Sequence, residues 1–216
     1  MRIMLHERGN GFMNQERWIK HISCRSDFTS RVTHLTRRTD EKTAFEVLCN
    51  ILDSKTIIAS DSSGYIRNGT RAVCFQDVPL HSLAVNIRYE DEHRGFHTQS
   101  NKEKIRYEAF GLRFNKGNLF VKGGRPVIYG TDEELDNMPE NEQWRCVKID
   151  IRNPENIIDW AHEREWRLKG DLHFEYNEID VIVGFEKYYK ELIGRYSNSN
   201  FLSEINGIIV LNSQCR

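Results

Sequence analysis

The sequence predicts a mixed α+β fold, because helical patterns dominate its early part and strand patterns its later part. Apolar residues recur with helical period over residues 42–54, which indicates an amphipathic helix with Asp40 as its N-cap. Short apolar runs next to glycine or proline, such as residues 72–75 before Pro79, indicate buried strands. A chain of 216 residues is long enough for one sizeable domain.

The remaining elements follow from the same two patterns. Residues 1–30 are polar and basic, and we interpret them as an N-terminal arm or a helix that begins near Asn14. Residues 31–216 are predicted to form a single domain. Its further helices are expected at residues 81–86 and 186–195, and a long surface loop at 88–104. Its further strands are expected at residues 31–36, 109–114, 126–129, 144–149, 163–168, 179–185 and 205–211.

Composition excludes several classes of protein. Hydrophobic residues make up 38% of the chain and charged residues 29%, which is typical of a globular protein rather than a disordered one. The formal net charge of -1 argues against binding nucleic acid by charge alone. No apolar run is long enough to cross a bilayer and no signal peptide is visible, so a cytoplasmic location is expected. The five cysteines are scattered without a CxxC pair, which indicates neither a disulfide framework nor a zinc site.

The sequence around Glu163 and Glu165 carries the strongest functional signal. On a strand, period-two alternation would place both carboxylates on one face, close enough to shift a pKa or to share a sugar hydroxyl or a cation. A solvated strand edge or a surface helix turn with Glu/Arg pairs is the structural alternative. Trp160 and Trp166 argue against that alternative, because two tryptophans within seven residues are unusual on an exposed face.

The order of these motifs resembles the mono-ADP-ribosyltransferase fold. Residues 33–36 with the helix that follows, together with residues 72–79, resemble the opening half of DarT-type DNA-modifying toxins. Residues 107–116, 123–129 and 163–167 are more similar to bacterial abortive-infection proteins of the AbiGi-like family. The similarity covers roughly residues 31 to 184. It implies two small packed sheets with an early amphipathic helix and a cleft that holds NAD as substrate.

The resemblance also implies roles for individual residues. His34 and Thr36, on the first strand, would hold the ribose or adenylate of NAD. Phe75 and Tyr107 would form an aromatic wall for the nicotinamide, and Arg71 would meet the pyrophosphate. For Phe75, packing in the core is an equally good interpretation.

The two glutamates would carry the chemistry of such an enzyme. Glu165 would stabilise the oxocarbenium-like centre and hold a ribose hydroxyl, and Glu163 would orient or deprotonate the acceptor. The family resemblance implies a toxin or anti-phage effector that transfers ADP-ribose to a nucleic acid or a protein, or hydrolyses NAD. An antitoxin or another regulatory partner is a further expectation, whereas a membrane partner is not expected.

Two other classes of function remain open at the level of sequence. A metal-dependent nuclease or phosphoesterase would use Asp159, His162, Glu163 and Glu165 as ligands or catalytic groups. A non-catalytic binding or sensor module of the same fold would use none of them. A basic surface next to the cleft is a candidate acceptor site, with ordinary surface charge as its alternative; it would comprise Arg31, Arg37, Arg38, Lys102, Lys104 and Arg106.

Overall fold

The protein is built from seven helices and eleven strands within the part that its computed structural model describes, residues 13–60, 66–93, 106 and 108–211. The helices are Gln15–Ser23 (α1), Ala44–Ser54 (α2), Leu80–His93 (α3), Lys116–Val121 (α4), Asp132–Asp136 (α5), Glu186–Tyr196 (α6) and Phe201–Glu204 (α7). The strands are Arg31–Leu35 (β1), Thr56–Ile57 (β2), Ala72–Gln76 (β3), Gly111–Asn115 (β4), Arg125–Pro126 (β5), Ile128–Gly130 (β6), Cys146–Lys148 (β7), Glu165–Lys169 (β8), Leu172–His173 (β9), Ile179–Val183 (β10) and Gly207–Val210 (β11).

A seven-stranded mixed sheet lies at the centre of the fold, with the strand order β11-β10-β4-β1-β3-β8-β5. All neighbouring strands are antiparallel except β10 and β11, which are parallel. Two further sheets have two strands each, β2 with β9 and β6 with β7. The predicted α+β class is therefore confirmed.

The central sheet is divided in two at the junction of β1 and β3. These strands share a single register pair, Thr33 with Gln76, whereas β1 pairs with β4 and β3 with β8 over five residues each. No other residues of β1 and β3 are paired with each other in register. The expected two small sheets are thus one sheet with a four-stranded and a three-stranded half. The difference from the prediction arises because one backbone bridge still joins the halves.

The two faces of this sheet differ in chemistry. One face carries Val32, Phe75 and Leu112, which are at most 1% exposed and pack with Phe45 and Leu48 of α2 in the main core. The predicted amphipathic helix is confirmed. Its N-cap, however, is Thr43 in a capping box with Glu46, and not Asp40, since only Thr43 lies next to the first helical turn.

The opposite face is covered in part by α3. Leu83 and Ile87 of this helix pack with Leu35 of β1 and Ile182 of β10 in a second apolar cluster. The helix is longer than predicted, because residues 88–93 continue it instead of starting the expected loop. The rest of that loop lies outside the described residues.

Three further predictions have different outcomes. The first helix begins after Asn14, whose side chain caps it, as expected. The predicted strand over residues 144–149 is instead a 3-10 turn, Glu140–Arg145, followed by the short β7, since a charged run leads into only three strand residues. In the described part of the chain, no helix is both long and apolar enough to span a bilayer.

Candidate active site

The candidate site lies on the face of the sheet that α3 covers in part, beside the junction of the two halves of the sheet. Thr33 of β1, Gln76 of β3 and Glu165 of β8 lie directly opposite one another in register. Residues that face each other in antiparallel strands share a face and are neighbours. The three are only 2%, 5% and 7% exposed. A row of polar side chains thus crosses the junction in a nearly dry environment.

Gln76 is the central member of this row and is incompletely satisfied. Among the described residues, no group donates a hydrogen bond to its Oε1 atom, although that atom is buried. Buried polar atoms normally have a partner, and those that lack one occur at binding and catalytic sites. Gln76 therefore presents an acceptor to any ligand that enters next to Glu165.

Glu165 is held by an arginine two residues further along the same strand. Its Oε1 accepts from Arg167 Nε at 2.8 Å and its Oε2 from Arg167 Nη2 at 3.1 Å. Arg167 Nη1 also donates to the carbonyl oxygen of Trp144 at 2.9 Å. Burial would lower the pKa of Arg167, but the adjacent carboxylate outweighs it and raises the pKa. The orientation of Glu165 is consequently fixed by both of its oxygens.

Glu163 is not part of the strand. It is the last residue of a 3-10 turn, Ala161–Glu163, and Arg164 follows in the left-handed region with φ 47°. The expected alternation of Glu163 and Glu165 on one strand face is therefore wrong, because the backbone turns at Arg164. The main chain at Glu163 is still tied to the sheet, since its carbonyl oxygen accepts from Asp77 N at 3.1 Å.

The two carboxyl groups interact even so. Burial, followed by the charge of Glu165, raises the pKa of Glu163 to about 8, against the opposing effect of Arg106 and Arg167. At neutral pH Glu163 mostly keeps its proton. A carboxyl group whose pKa is raised by burial and by a neighbouring acid is the kind of group that general acid–base chemistry uses.

Several groups hold the turn that carries Glu163. The hydroxyl of Tyr129 donates to the carbonyl oxygen of Trp160 at 3.3 Å and accepts from Glu165 N at 3.2 Å. The guanidinium of Arg106 lies 3.9 Å from the centre of the Trp160 ring, and its backbone N–H donates to Glu90 at 3.0 Å. Glu90, on α3, is only 3% exposed. These contacts link α3, β6 and β8 around the acids.

The structure places the predicted NAD-binding residues at different distances from this site. His34 lies on the other face of the sheet from Glu165, next to Phe75 with ring centres 5.9 Å apart. Its Nδ1 lies 2.9 Å from the carbonyl oxygen of Cys74, so it is the protonated nitrogen, and burial lowers the pKa of the ring. The imidazole therefore bridges β1 and β3 where they separate.

The other predicted contacts have structural partners in the fold or lie outside the site. Thr36 follows β1, and its hydroxyl donates to the carbonyl oxygens of Ala44 at 2.9 Å and Phe110 at 3.2 Å. Phe75 is 1% exposed within the main core. Arg71 precedes β3 at the end remote from Glu165, about 17 Å away along the strand. Tyr107 lies outside the described residues.

The predicted basic acceptor surface is partly neutralised. Arg31 pairs with Asp180 at 3.4 Å, and Arg38 forms a two-fold hydrogen bond with Glu108. Residues 94–105, with the two lysines of that surface, are outside the described part of the chain. Among the residues that the structure describes, no group of three or more His, Cys, Asp or Glu side chains is arranged to hold a metal ion. The metal-dependent alternative thus gains no support from this region.

Sequence reasoning identified both acids but missed Gln76, Glu90, Tyr129 and Arg167 as their neighbours. Arg167 had a usable signal, because a residue two positions from Glu165 on a strand shares its face. The others are brought in by tertiary pairing that no local pattern encodes. Comparison of the chain with protein-family models, with curated proteins and with solved structures found no match.

Proposed function

We propose that this chain is an NAD-cleaving enzyme of the ADP-ribosyltransferase type, acting as a toxin or anti-phage effector. The observation that carries the proposal is the pair Glu163 and Glu165 beside the junction of a divided sheet, in which burial and the charge of Glu165 raise the pKa of Glu163 to about 8. The motif resemblance in the sequence supports the same class of fold.

Cleavage of NAD breaks the bond between ribose C1′ and the nicotinamide nitrogen, and the bonding electrons leave with nicotinamide. The ribose is left with oxocarbenium character, which a nearby carboxylate stabilises. Glu165 suits this role, because two hydrogen bonds from Arg167 fix both of its oxygens in one orientation. Gln76 Oε1 is a second acceptor for a ribose hydroxyl or an amide of the substrate.

Glu163 is assigned to the acceptor step. A nucleophile that attacks C1′ must lose a proton, and a carboxylate within reach takes it. Because burial raises the pKa of Glu163 to about 8, its basic form becomes the major one only above that pH. Transfer of ADP-ribose to an acceptor should therefore increase between pH 7 and pH 9. If water is the acceptor, the product is free ADP-ribose.

The experiment follows nicotinamide release and label transfer from NAD labelled in its adenylate half, with lysate, DNA and RNA as separate acceptors. We expect Glu165→Gln to reduce release by about 100-fold or more, and Glu163→Gln to reduce transfer more than release. Glu186→Gln is the matched control, because Glu186 pairs only with Lys190 on the exposed surface of α6. Thermal unfolding of each variant checks that it is folded.

The outcomes separate the alternatives. Release by the wild type and by Glu186→Gln, but not by Glu165→Gln, supports the proposal, and the labelled fraction identifies the acceptor class. Absence of release from the wild type with every acceptor, or full activity of Glu165→Gln, contradicts it. A non-catalytic binding module would then be the better interpretation of the fold.

A further inference from the structure

A cavity lies on the face of β8 opposite Glu165, between that strand and α1. Its volume is about 310 Å³, which is at the lower end of the range for small-molecule sites. Three aromatic rings line it, those of Trp18, Phe28 and Trp166. Trp166 alternates with Glu165 along the strand, so this cavity and the candidate active site lie on opposite faces of the sheet.

The floor of the cavity is rigid and electrically balanced. The ammonium of Lys116, whose side chain is 10% exposed, lies 2.6 Å from Asp77 Oδ1. The indole nitrogen of Trp166 donates to the other oxygen of Asp77 at 3.1 Å. Both oxygens of the carboxylate are thereby used, and the Trp166 ring is held in one orientation. A flat apolar surface is available without the rearrangement that costs binding energy.

The rim of the cavity carries two arginine side chains, Arg25 and Arg164. The ring of Phe28 is 45% exposed, and the guanidinium carbons of Arg25 and Arg164 each lie 5.6 Å from its centre. Within the described residues, neither arginine forms an ion pair with an acidic side chain; Arg164 donates instead to the backbone carbonyl of Asp27. An exposed aromatic ring between two guanidinium groups attracts a ligand that is both planar and anionic.

We propose that this cavity binds a nucleotide, with its base against the aromatic rings and its phosphate against Arg25 and Arg164. Aromatic side chains stack on the face of any base, and the guanidinium group matches paired phosphate oxygens. A free mononucleotide and one residue of a single strand present this same chemistry. The proposal does not depend on NAD cleavage, since none of the residues that line the cavity belongs to the acid pair.

The test is calorimetric titration of the full chain with the four nucleoside 5′-monophosphates, the matching nucleosides and a six-nucleotide single strand. We expect Arg25→Ala and Phe28→Ala each to weaken binding of the monophosphate about tenfold. Loss of the phosphate from the ligand should weaken binding to the wild type more than to Arg25→Ala, because this variant already lacks one of the two phosphate contacts. Both residues are exposed, and unchanged thermal unfolding of the free variants verifies their fold.

Two variants serve as controls. Arg17→Ala makes the same substitution on α1, which ends shortly before Arg25, at a position away from the cavity lining, and should bind like the wild type. Glu163→Gln should also bind like the wild type, because Glu163 lies on the turn before β8 and does not line the cavity. Equal affinity for monophosphate and strand identifies a free nucleotide as the ligand, and tighter binding of the strand with the same dependence on Arg25 identifies a strand. No binding of any probe, binding unaffected by Arg25→Ala and Phe28→Ala, or binding abolished by Glu163→Gln overturns the proposal.

Discussion

The carboxylate of Glu165 and the guanidinium of Arg167 face each other on one side of β8, joined by hydrogen bonds of 2.8 and 3.1 Å. Their side chains are only 9% and 3% exposed. A buried ion pair costs desolvation of both charges, so its main consequence appears when one partner is removed and the other is left uncompensated. The pair thus couples the stability of the sheet to the geometry of the candidate catalytic acid.

The first prediction concerns Arg167. Arg167→Met should lower the free energy of unfolding by about 3–5 kcal/mol, because it leaves the Glu165 carboxylate buried without its partner. Urea denaturation at pH 7 measures the loss. The double variant Glu165→Gln with Arg167→Met should recover a large part of it, since no unpaired charge remains.

The surface pair of Glu186 and Lys190 provides the control for this comparison. Its side chains are more than 70% exposed, so Glu186→Gln should change stability far less than Arg167→Met does. If Arg167→Met cost no more than Glu186→Gln, the buried pair would not contribute to the fold in the way described. The assignment of a fixed orientation to Glu165 would then lose its basis.

The second prediction concerns the pH dependence of stability through Glu163. Its pKa in the folded protein is raised to about 8 from the model-compound value of 4.5. Between these values the folded state holds a proton that the unfolded state has lost, so stability decreases as the pH rises. Glu163→Gln removes this dependence. The variant should therefore gain stability relative to the wild type between pH 5 and pH 8.5, by roughly 4 kcal/mol.

Urea denaturation at pH 5, 7 and 8.5 measures this difference for both proteins. Glu186→Gln should show no such trend, since its carboxylate is fully exposed to solvent and its pKa is lowered rather than raised by Lys190. A constant difference between Glu163→Gln and the wild type at all three pH values would show that Glu163 is not held protonated by the fold.

The sequence predicts well those elements whose patterns are local. The helices α2 and α6 follow from apolar periodicity, and β10 from a continuous apolar run, so the structure places them close to the predicted positions. The alternation over residues 163–168 fails at its first two positions, Glu163 and Arg164. Arg164 adopts φ 47°, which a non-glycine residue reaches rarely and no sequence pattern announces. From Glu165 onward, the alternation holds.

The composition of the site was harder to predict for a different reason. Gln76 meets Glu165 because β3 pairs with β8, which lies about ninety residues later in the chain. Glu90 lies in a charged stretch that looks like a loop, yet it continues the helical spacing of Leu83 and Ile87 toward the sheet. Pairing between distant strands and burial of an isolated charge depend on tertiary packing, which local patterns do not encode.

The third prediction separates two roles for Thr36. Its hydroxyl donates to backbone oxygens of Ala44 and Phe110, and the residue is 2% exposed. We therefore expect Thr36→Val, which keeps the shape of the side chain, to lower the free energy of unfolding by about 1 kcal/mol. The KM for NAD should remain unchanged. A raised KM with unchanged stability would instead support direct contact of Thr36 with the substrate.

The last prediction concerns Gln76. Its Oε1 atom is buried and receives no hydrogen bond from any described residue, so the fold gains nothing from this acceptor. Gln76→Met has a similar shape without the acceptor, and it should change the free energy of unfolding by less than about 1 kcal/mol. If the acceptor serves the substrate, the same variant should raise the KM for NAD about tenfold or more.

A second glutamine makes the comparison specific. Gln143 lies in the 3-10 turn Glu140–Arg145 and not on β3. Its Nε2 donates to the carbonyl oxygen of Met138 at 3.2 Å, so its side chain has a structural partner. Gln143→Met should lower stability by about 1 kcal/mol and leave the KM unchanged, the reverse of the effects at Gln76. A loss of more than about 2 kcal/mol in Gln76→Met would show that the fold depends on its amide. A buried acceptor atom with no donor among the described residues is therefore best tested by whether its removal raises the KM for the substrate and leaves the free energy of unfolding unchanged.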